Sequence, residues 1–175
     1  MRKINRIFVH CTASYQETTT EKTLKAEFKN KGWKNPGYHY VIKTDGNIIV
    51  MLDENFTANG VRGYNANSIH VAWIGGIDAT HPKGIDNRTD AQKLALIDLL
   101  VKLKERYPDA EILGHRDISP DKNGNGIVDP WERIKECPCF DAKAEYSQLN
   151  GNQNLLIKGI PGPIGDHQRR GRLQS

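Results

Sequence analysis

No stretch of the 175 residues is apolar for long enough to cross a bilayer as a helix, which excludes a helical membrane protein. The amino-terminal Met1-Arg2-Lys3 is basic, but only a short apolar run follows it instead of a signal-peptide core. Synthesis in the cytoplasm without a leader is therefore the expectation. Cysteine is scarce and odd in number: Cys11, Cys137 and Cys139 are all there is. Cys137 and Cys139 stand too close in sequence for a comfortable mutual bridge, so a disulfide framework is excluded in favour of metal binding or burial. Basic residues do not cluster among aromatics within the domain, and nucleic acid is not an expected partner. The formal net charge of +4 is modest and suits an anionic polymer. No internal repeat is present.

What is there reads as one α/β domain, a central mixed β-sheet flanked by helices. Residues 4–9 form a buried strand. In the polar loop that follows, Thr18 and Glu21 have capping-box spacing ahead of a helix with Leu24 and Phe28 one turn apart. Gly32 is its natural stop. Residues 38–42 and 48–52 are strands joined by the hairpin turn Thr44-Asp45-Gly46-Asn47, and 68–74 is a further strand. Thr89 and Gln92 make a second capping box. They open a helix with the apolar set Leu94, Ile97, Leu100, Val101 and Leu103, which Pro108 ends. Residues 111–114 are the next strand. The domain is expected to run over 1–149. From 150 to 175 the Gly/Pro-rich run 159–165 and the basic Arg169-Arg170-Gly171-Arg172 read as a flexible tail.

His10, His115 and Cys137 each stand where a rigid element ends. Two imidazoles and a thiolate offer zinc three protein ligands and leave a fourth position open, the pattern of a catalytic site. The spacing alone is unspecific, since a lone His or Cys is more often a hydrogen-bonded core residue. His39, His70 and His81 compete as ligands. Alternation along the strand would turn His39 away from both Tyr38 and Tyr40. Cys139, two residues beyond Cys137, would point oppositely and is not taken as a ligand.

Several blocks sharpen this reading. Val9-His10-Cys11-Thr12-Ala13-Ser14, Gly37-Tyr38-His39-Tyr40-Val41-Ile42-Lys43, Gly63-Tyr64-Asn65-Ala66-Asn67-Ser68-Ile69, Gly75-Gly76-Ile77-Asp78 and Lys135-Glu136-Cys137-Pro138 occur in this order. Together they resemble the zinc N-acetylmuramoyl-L-alanine amidases of the phage lysozyme and peptidoglycan-recognition type, from Ile4 to about Phe140. The resemblance implies zinc held by His10, His115 and Cys137 in a cleft at one sheet edge, with Tyr38 and Lys135 as catalytic partners. It also implies hydrolysis of the amide between the lactyl group of N-acetylmuramic acid and the first alanine of the stem peptide. A phage or prophage endolysin acting as a monomer on the cell wall after release is the corresponding expectation.

The residue types agree with that chemistry. Zinc lowers the pKa of a bound water toward about 7 and polarises the carbonyl. A cationic Lys135 could stabilise the oxyanion, and the Tyr38 hydroxyl could bond the water or the departing nitrogen. Asn65, Asn67 and His70 are expected to line the substrate cleft, packing being the open alternative for His70. Two departures from the family pattern stand out. His70 occupies a position where many relatives carry a small residue, and Asn59-Gly60-Val61-Arg62 lacks the histidine that often precedes the Gly-Tyr-Asn block. Retention of all three ligands with Tyr38 and Lys135 argues against a module that only binds peptidoglycan. Some similar phage lysozymes also inhibit a polymerase, but no such surface is legible here.

Between the second and third zinc ligands, residues 121–132 fit a calcium-loop pattern. Asp121, Asn123 and Asn125 would ligate directly, Ile127 through its carbonyl, Asp129 through water, and Glu132 with both oxygens, while Gly126 makes the turn. Two amides in place of carboxylates predict weak affinity, of about a tenth of a millimolar or above. Calcium would start a short helix at 130–132 and set Lys135 one helical turn beyond Glu132.

Overall fold

The computed structural model describes residues 2–151, so the sequence tail from 152 onward lies outside the described residues. Five strands form one sheet in the order β3-β2-β4-β1-β5. They are β1 (Arg6–Cys11), β2 (Tyr40–Ile42), β3 (Ile48–Val50), β4 (Ser68–Trp73) and β5 (Glu111–Gly114). β1 pairs in parallel with β4 and β5, β2 in parallel with β4, and only the β2–β3 hairpin is antiparallel. The expected mixed α/β sheet is thus the observed one.

Strand β1 is covered on both faces, which is why its sequence is apolar nearly throughout. Ile7, Val9 and Cys11 face the main core, where Ile69, Val71 and Trp73 of β4 meet helix α2 (Asp90–Arg106). Phe8 and His10 face the other side, where α1 (Glu21–Asn30) covers the β2 half of the sheet through Leu24 and Phe28. The metal-ligand candidates belong to this second face.

Several elements differ from the sequence expectation for identifiable reasons. The α1 cap is Thr20, not Thr18: its hydroxyl accepts from Thr23 N–H and its own N–H donates to the Thr23 hydroxyl. Residues 38 and 39 precede β2, so strand alternation does not govern them. Both Tyr38 and His39 meet rings on the His10 face, Tyr38 that of His10 and His39 that of His70. The α2 cap at Thr89 and Gln92 is as expected, but its buried face is Leu96, Leu99, Leu100 and Leu103, while Leu94 is 69% exposed. Two polar residues rotate the face. Gln92 donates to the carbonyls of Ile42 and Ile74, and Lys104 Nζ donates to those of Pro108 and Ala110. Both therefore lie buried with partners, and the hydrophobic pattern alone misassigns the helix.

Two short helices follow, α3 (Ala142–Glu145) and α4 (Ser147–Gly151). Asn150, assigned to the tail from sequence, belongs to the fold. Its side chain accepts from Ile112 N–H at 2.7 Å and donates to Ile112 C=O at 3.0 Å, mimicking a strand partner along the open edge of β5. Arg88, with its side chain buried, donates to Asp86 and Glu145 and lies 3.3 Å above the Phe140 ring. It fastens the segment after Cys137 to the loop ahead of α2. Among the described residues no helix is long and apolar enough to cross a membrane.

The corrected α2 face makes a direct prediction. Leu96→Ala should destabilise the fold by about 2–5 kcal/mol, whereas Leu94→Ala should change it by less than about 0.5 kcal/mol. Urea unfolding of the two variants measures the difference, and comparable losses would show the face to be wrong.

Candidate metal centre

Parallel pairing aligns the carboxyl ends of β1 and β5, the end of an α/β sheet where sites commonly form. His10 is the fifth residue of β1, and His115 follows immediately on the last residue of β5, opening a 3-10 turn over His115–Ile118. The third candidate arrives from the loop. Arg116 N–H donates to Cys137 C=O at 2.8 Å, and Pro138 packs on Gly114, where an added Cβ would stand 2.6 Å from Pro138 Cδ. Cys137 is thereby docked beside His115 by a backbone hydrogen bond to Arg116 and a proline-ring contact on Gly114, the two neighbours of His115.

The donor atoms of His10, His115 and Cys137 all lie within 4.8 Å of one another. Among the described residues no other group of His, Cys, Asp and Glu converges in this way. His10 Nδ1 faces the group, 3.6 Å from Cys137 Sγ, and the His10 and His115 rings meet edge to face at 5.1 Å. Cys11 N–H donates to Cys137 Sγ at 3.3 Å, a bond that suits a thiolate ligand. Cys139 is turned away, with its sulfur 3.6 Å from Cys11 Sγ and 3.5 Å from Gly76 C=O. All three cysteines are free thiols.

Burial keeps the imidazoles neutral, the state a metal requires. His10 is pushed well below the usual imidazole range, first by burial and then by His70, His115 and Lys135. His115 falls to about 4 through burial and the nearby Lys135 ammonium. The Tyr38 ring lies 5.3 Å from that of His10 and 5.5 Å from that of Phe28. Burial first, then the Cys137 and Cys11 thiols, raise its phenol well above the ordinary tyrosine value, so it keeps its proton. Lys135 is exposed and near enough to lower the proton affinity of both ligand histidines. Two neutral imidazoles, one thiol and a protonated phenol fit a zinc centre with an open position.

The residues expected to line the substrate cleft fall elsewhere. Asn65 and Asn67 form the 3-10 turn ahead of β4, whose first residue pairs with Arg6. Ser68, which follows that turn, is four register positions from the His10–Ala72 pair, or roughly 13 Å along the strand, and the turn lies beyond it. Their side chains serve the fold: Asn65 Oδ1 accepts from Val61 N–H, and Asn67 Nδ2 donates to Lys3 C=O. His70 is fully buried and faces His10, not solvent.

The loop 121–132 is closed by its own hydrogen bonds. Asp121 accepts from Gly124 and Gly126 N–H, and Asn123 and Asn125 donate their side-chain amides to Asp129 Oδ2. Asn125 Oδ1 accepts from Ile127 N–H, and buried Glu132 accepts from the N–H groups of Lys122, Asn123 and Asp129. The helical turn over Pro130–Glu132 ends there, so Lys135 lies on irregular chain and not one helical turn beyond Glu132.

Two predictions arise from this geometry. Gly114→Ala should press on Pro138, displace Cys137 and weaken zinc binding by about tenfold or more, as equilibrium dialysis would detect. His39, like His115, falls to about 4, mainly by burial. Unfolded histidine takes its proton near 6.5, so both groups withdraw stability as pH drops from about 6.5 toward 4, by about 1.4 kcal/mol per pH unit each. Urea unfolding of the metal-free protein should therefore give a lower stability at pH 5 than at pH 7.5. Equal values would contradict the buried neutral state.

Known proteins are similar to this chain in sequence and in architecture. Residues 1–132 match the N-acetylmuramoyl-L-alanine amidase family, a span that includes His10, Tyr38 and His115 and stops short of Lys135 and Cys137. The endolysin of Klebsiella phage KP32 is 35% identical over 81% of this chain and 85% of its own length. The endolysin of Escherichia phage T7 is 36% identical over 78% and 82%, respectively. In structure, the N-acetylmuramoyl-L-alanine amidase LysC of Clostridium intestinale superposes with a TM-score of 0.65 at 25% identity, covering 85% of this chain and 87% of that one. Drosophila PGRP-LB shares the fold, with a TM-score of 0.59 at 19% identity over 84% and 81%. The family match over most of the chain and the phage relatives of similar length make this protein a member of the N-acetylmuramoyl-L-alanine amidase family.

Proposed function

We propose that this amidase is a zinc enzyme that cuts the lactyl–L-alanine amide of bacterial peptidoglycan. In this reading it is a phage or prophage endolysin that reaches the wall after release from the cytoplasm, and it works as a monomer. The observation that carries the proposal is the convergence of His10, His115 and Cys137 donor atoms within 4.8 Å in a chain of this family.

When bound there, zinc would supply an ionised water near neutral pH and a Lewis acid for the carbonyl. The chain's own residues do the rest. His10 and His115 hold the ion without competing protons, because burial keeps both rings neutral. Tyr38, wedged between Phe28 and His10, keeps its phenolic proton and can donate it in a hydrogen bond to the substrate amide. Lys135 brings a positive charge to the two ligand histidines, where negative charge builds on the carbonyl oxygen.

Purified protein given peptidoglycan should release free amino-terminal alanine, and Cys137→Ala should lose both bound zinc and that release. Lys135→Ala and Tyr38→Phe should each retain zinc and lower the rate by about a hundredfold. Release of reducing sugar ends in place of alanine would overturn the assignment.

We also propose, from the sequence pattern of 121–132, that this loop takes calcium. Glu132 is buried at its centre, and the loop joins the second metal ligand to the third. Millimolar calcium, in zinc-loaded protein, should raise the melting temperature where magnesium does not; an unchanged temperature would refute the assignment.

A further inference from the structure

His70 is a buried imidazole that the amidase reading does not use. It lies in the middle of β4, on the face opposite Ile69, Val71 and Trp73, and has no exposed surface. Its Nδ1 stands 3.1 Å from Nε2 of His10, the nitrogen that faces away from Cys137. On this geometry we propose that His70 is a positioning residue that orients the metal ligand His10 and selects its tautomer. The inference rests on the zinc reading above.

The tautomers follow from the bonds each ring can make. A neutral imidazole carries one N–H. If Nδ1 of His10 gives its lone pair to the metal, the proton must sit on Nε2. His70 Nδ1 then has to be the acceptor, with the His70 proton on its own Nε2. The reverse arrangement would leave His10 Nε2 without a proton and Nδ1 with one, and such a ring cannot bind a metal through Nδ1. Metal-ligating histidines depend on partners of this kind for ring orientation and basicity.

The surroundings hold His70 to this task. Its ring lies parallel to those of Phe8, at 5.5 Å, and His39, at 5.8 Å. Its backbone N–H donates to His39 Nδ1 at 2.9 Å, and its carbonyl accepts from His39 N–H at 2.9 Å. With Nδ1 so engaged, His39 carries its proton on Nε2 and donates it to Phe56 C=O at 3.0 Å. Gly60 supplies the space, because a Cβ there would lie 2.3 Å from His70 Nδ1. One feature argues that the polar atom matters. His70 Nε2 is buried without a hydrogen-bond partner, so a phenylalanine would remove that unsatisfied atom and leave unpaired only His10 Nε2, the one group the His70 ring serves.

The test compares the full chain with His70→Phe, which fills the space without an acceptor, and His70→Asn, whose amide oxygen can take the Nδ1 place. Zinc affinity is measured by chelator competition, and the cobalt-substituted proteins are examined by visible absorption. His70→Phe should weaken zinc binding by about 10–100-fold and shift the cobalt bands, while its metal-free melting temperature stays close to that of the parent, since one unsatisfied buried nitrogen replaces another. His70→Asn should recover most of the affinity. Should His70→Phe fail to fold, Gly60→Ala provides the second variant, since it displaces the ring without removing it and should also weaken zinc binding. Parental affinity and an unchanged cobalt spectrum in the folded variants would overturn the proposal, as would His70→Asn binding no better than His70→Phe. His10→Ala and Cys137→Ala separate the two levels of inference. If they too keep full zinc affinity, the zinc reading itself fails; if they lose it while His70→Phe does not, only the role of His70 fails.

Discussion

Everything at the metal centre depends on the placement of β1 between two parallel neighbours. With β4 on one side and β5 on the other, the strand is buried on both faces, and its alternation assigns each face a separate task. Ile7, Val9 and Cys11 build the core against α2, and Phe8 and His10 face the ring cluster on the opposite side. A slip of one residue would exchange the two sets, sending the imidazole into the apolar core and a valine toward the metal. Parallel pairing with β5 also brings His115 level with the end of β1, and the backbone of Arg116 then catches the Cys137 loop.

Burial governs the electrostatics of this cluster. It holds four imidazoles, those of His10, His39, His70 and His115, below the ordinary range, and it lifts the Tyr38 phenol above its own. The outcome is a pair of neutral ligand imidazoles that a cation can meet without first displacing a proton from either lone pair, with Lys135 as the nearby positive charge. The acidic side of the bargain is instability, since every one of these rings would be charged in an unfolded chain at pH 5. Rigid support comes from the stacking of the Phe8, His70 and His39 rings and, farther out, from the Arg88 ties to Asp86 and Glu145.

Much of this was legible in the sequence because it is local. The hairpin at Asp45-Gly46, the Thr89–Gln92 cap and the strand 111–114 are written in residues that act on their immediate neighbours. The α2 face was not, because Gln92 and Lys104 are polar residues whose buried partners come from distant carbonyls. Asn150 looked like the start of a tail for the same reason: its role as a partner of Ile112 depends on an edge strand nearly forty residues away. Asn65 and Asn67 are expected at the substrate cleft, but they form a turn at the opposite end of β4 from the metal ligands, a distance that only strand pairing sets.

The sequence by itself determined the fold class, the donor types and the amidase resemblance, since these rest on local periodicity and on which residues are present in which order. Only the tertiary structure decided that His10 turns Nδ1 toward Cys137 and Nε2 toward His70, that Cys139 faces Cys11, and that Gly60 leaves room for an imidazole sixty residues from its partner. The physical reason is range. Caps, turns and strand alternation are fixed within a few residues, whereas ligand geometry is set by contacts between segments that only the sheet brings together.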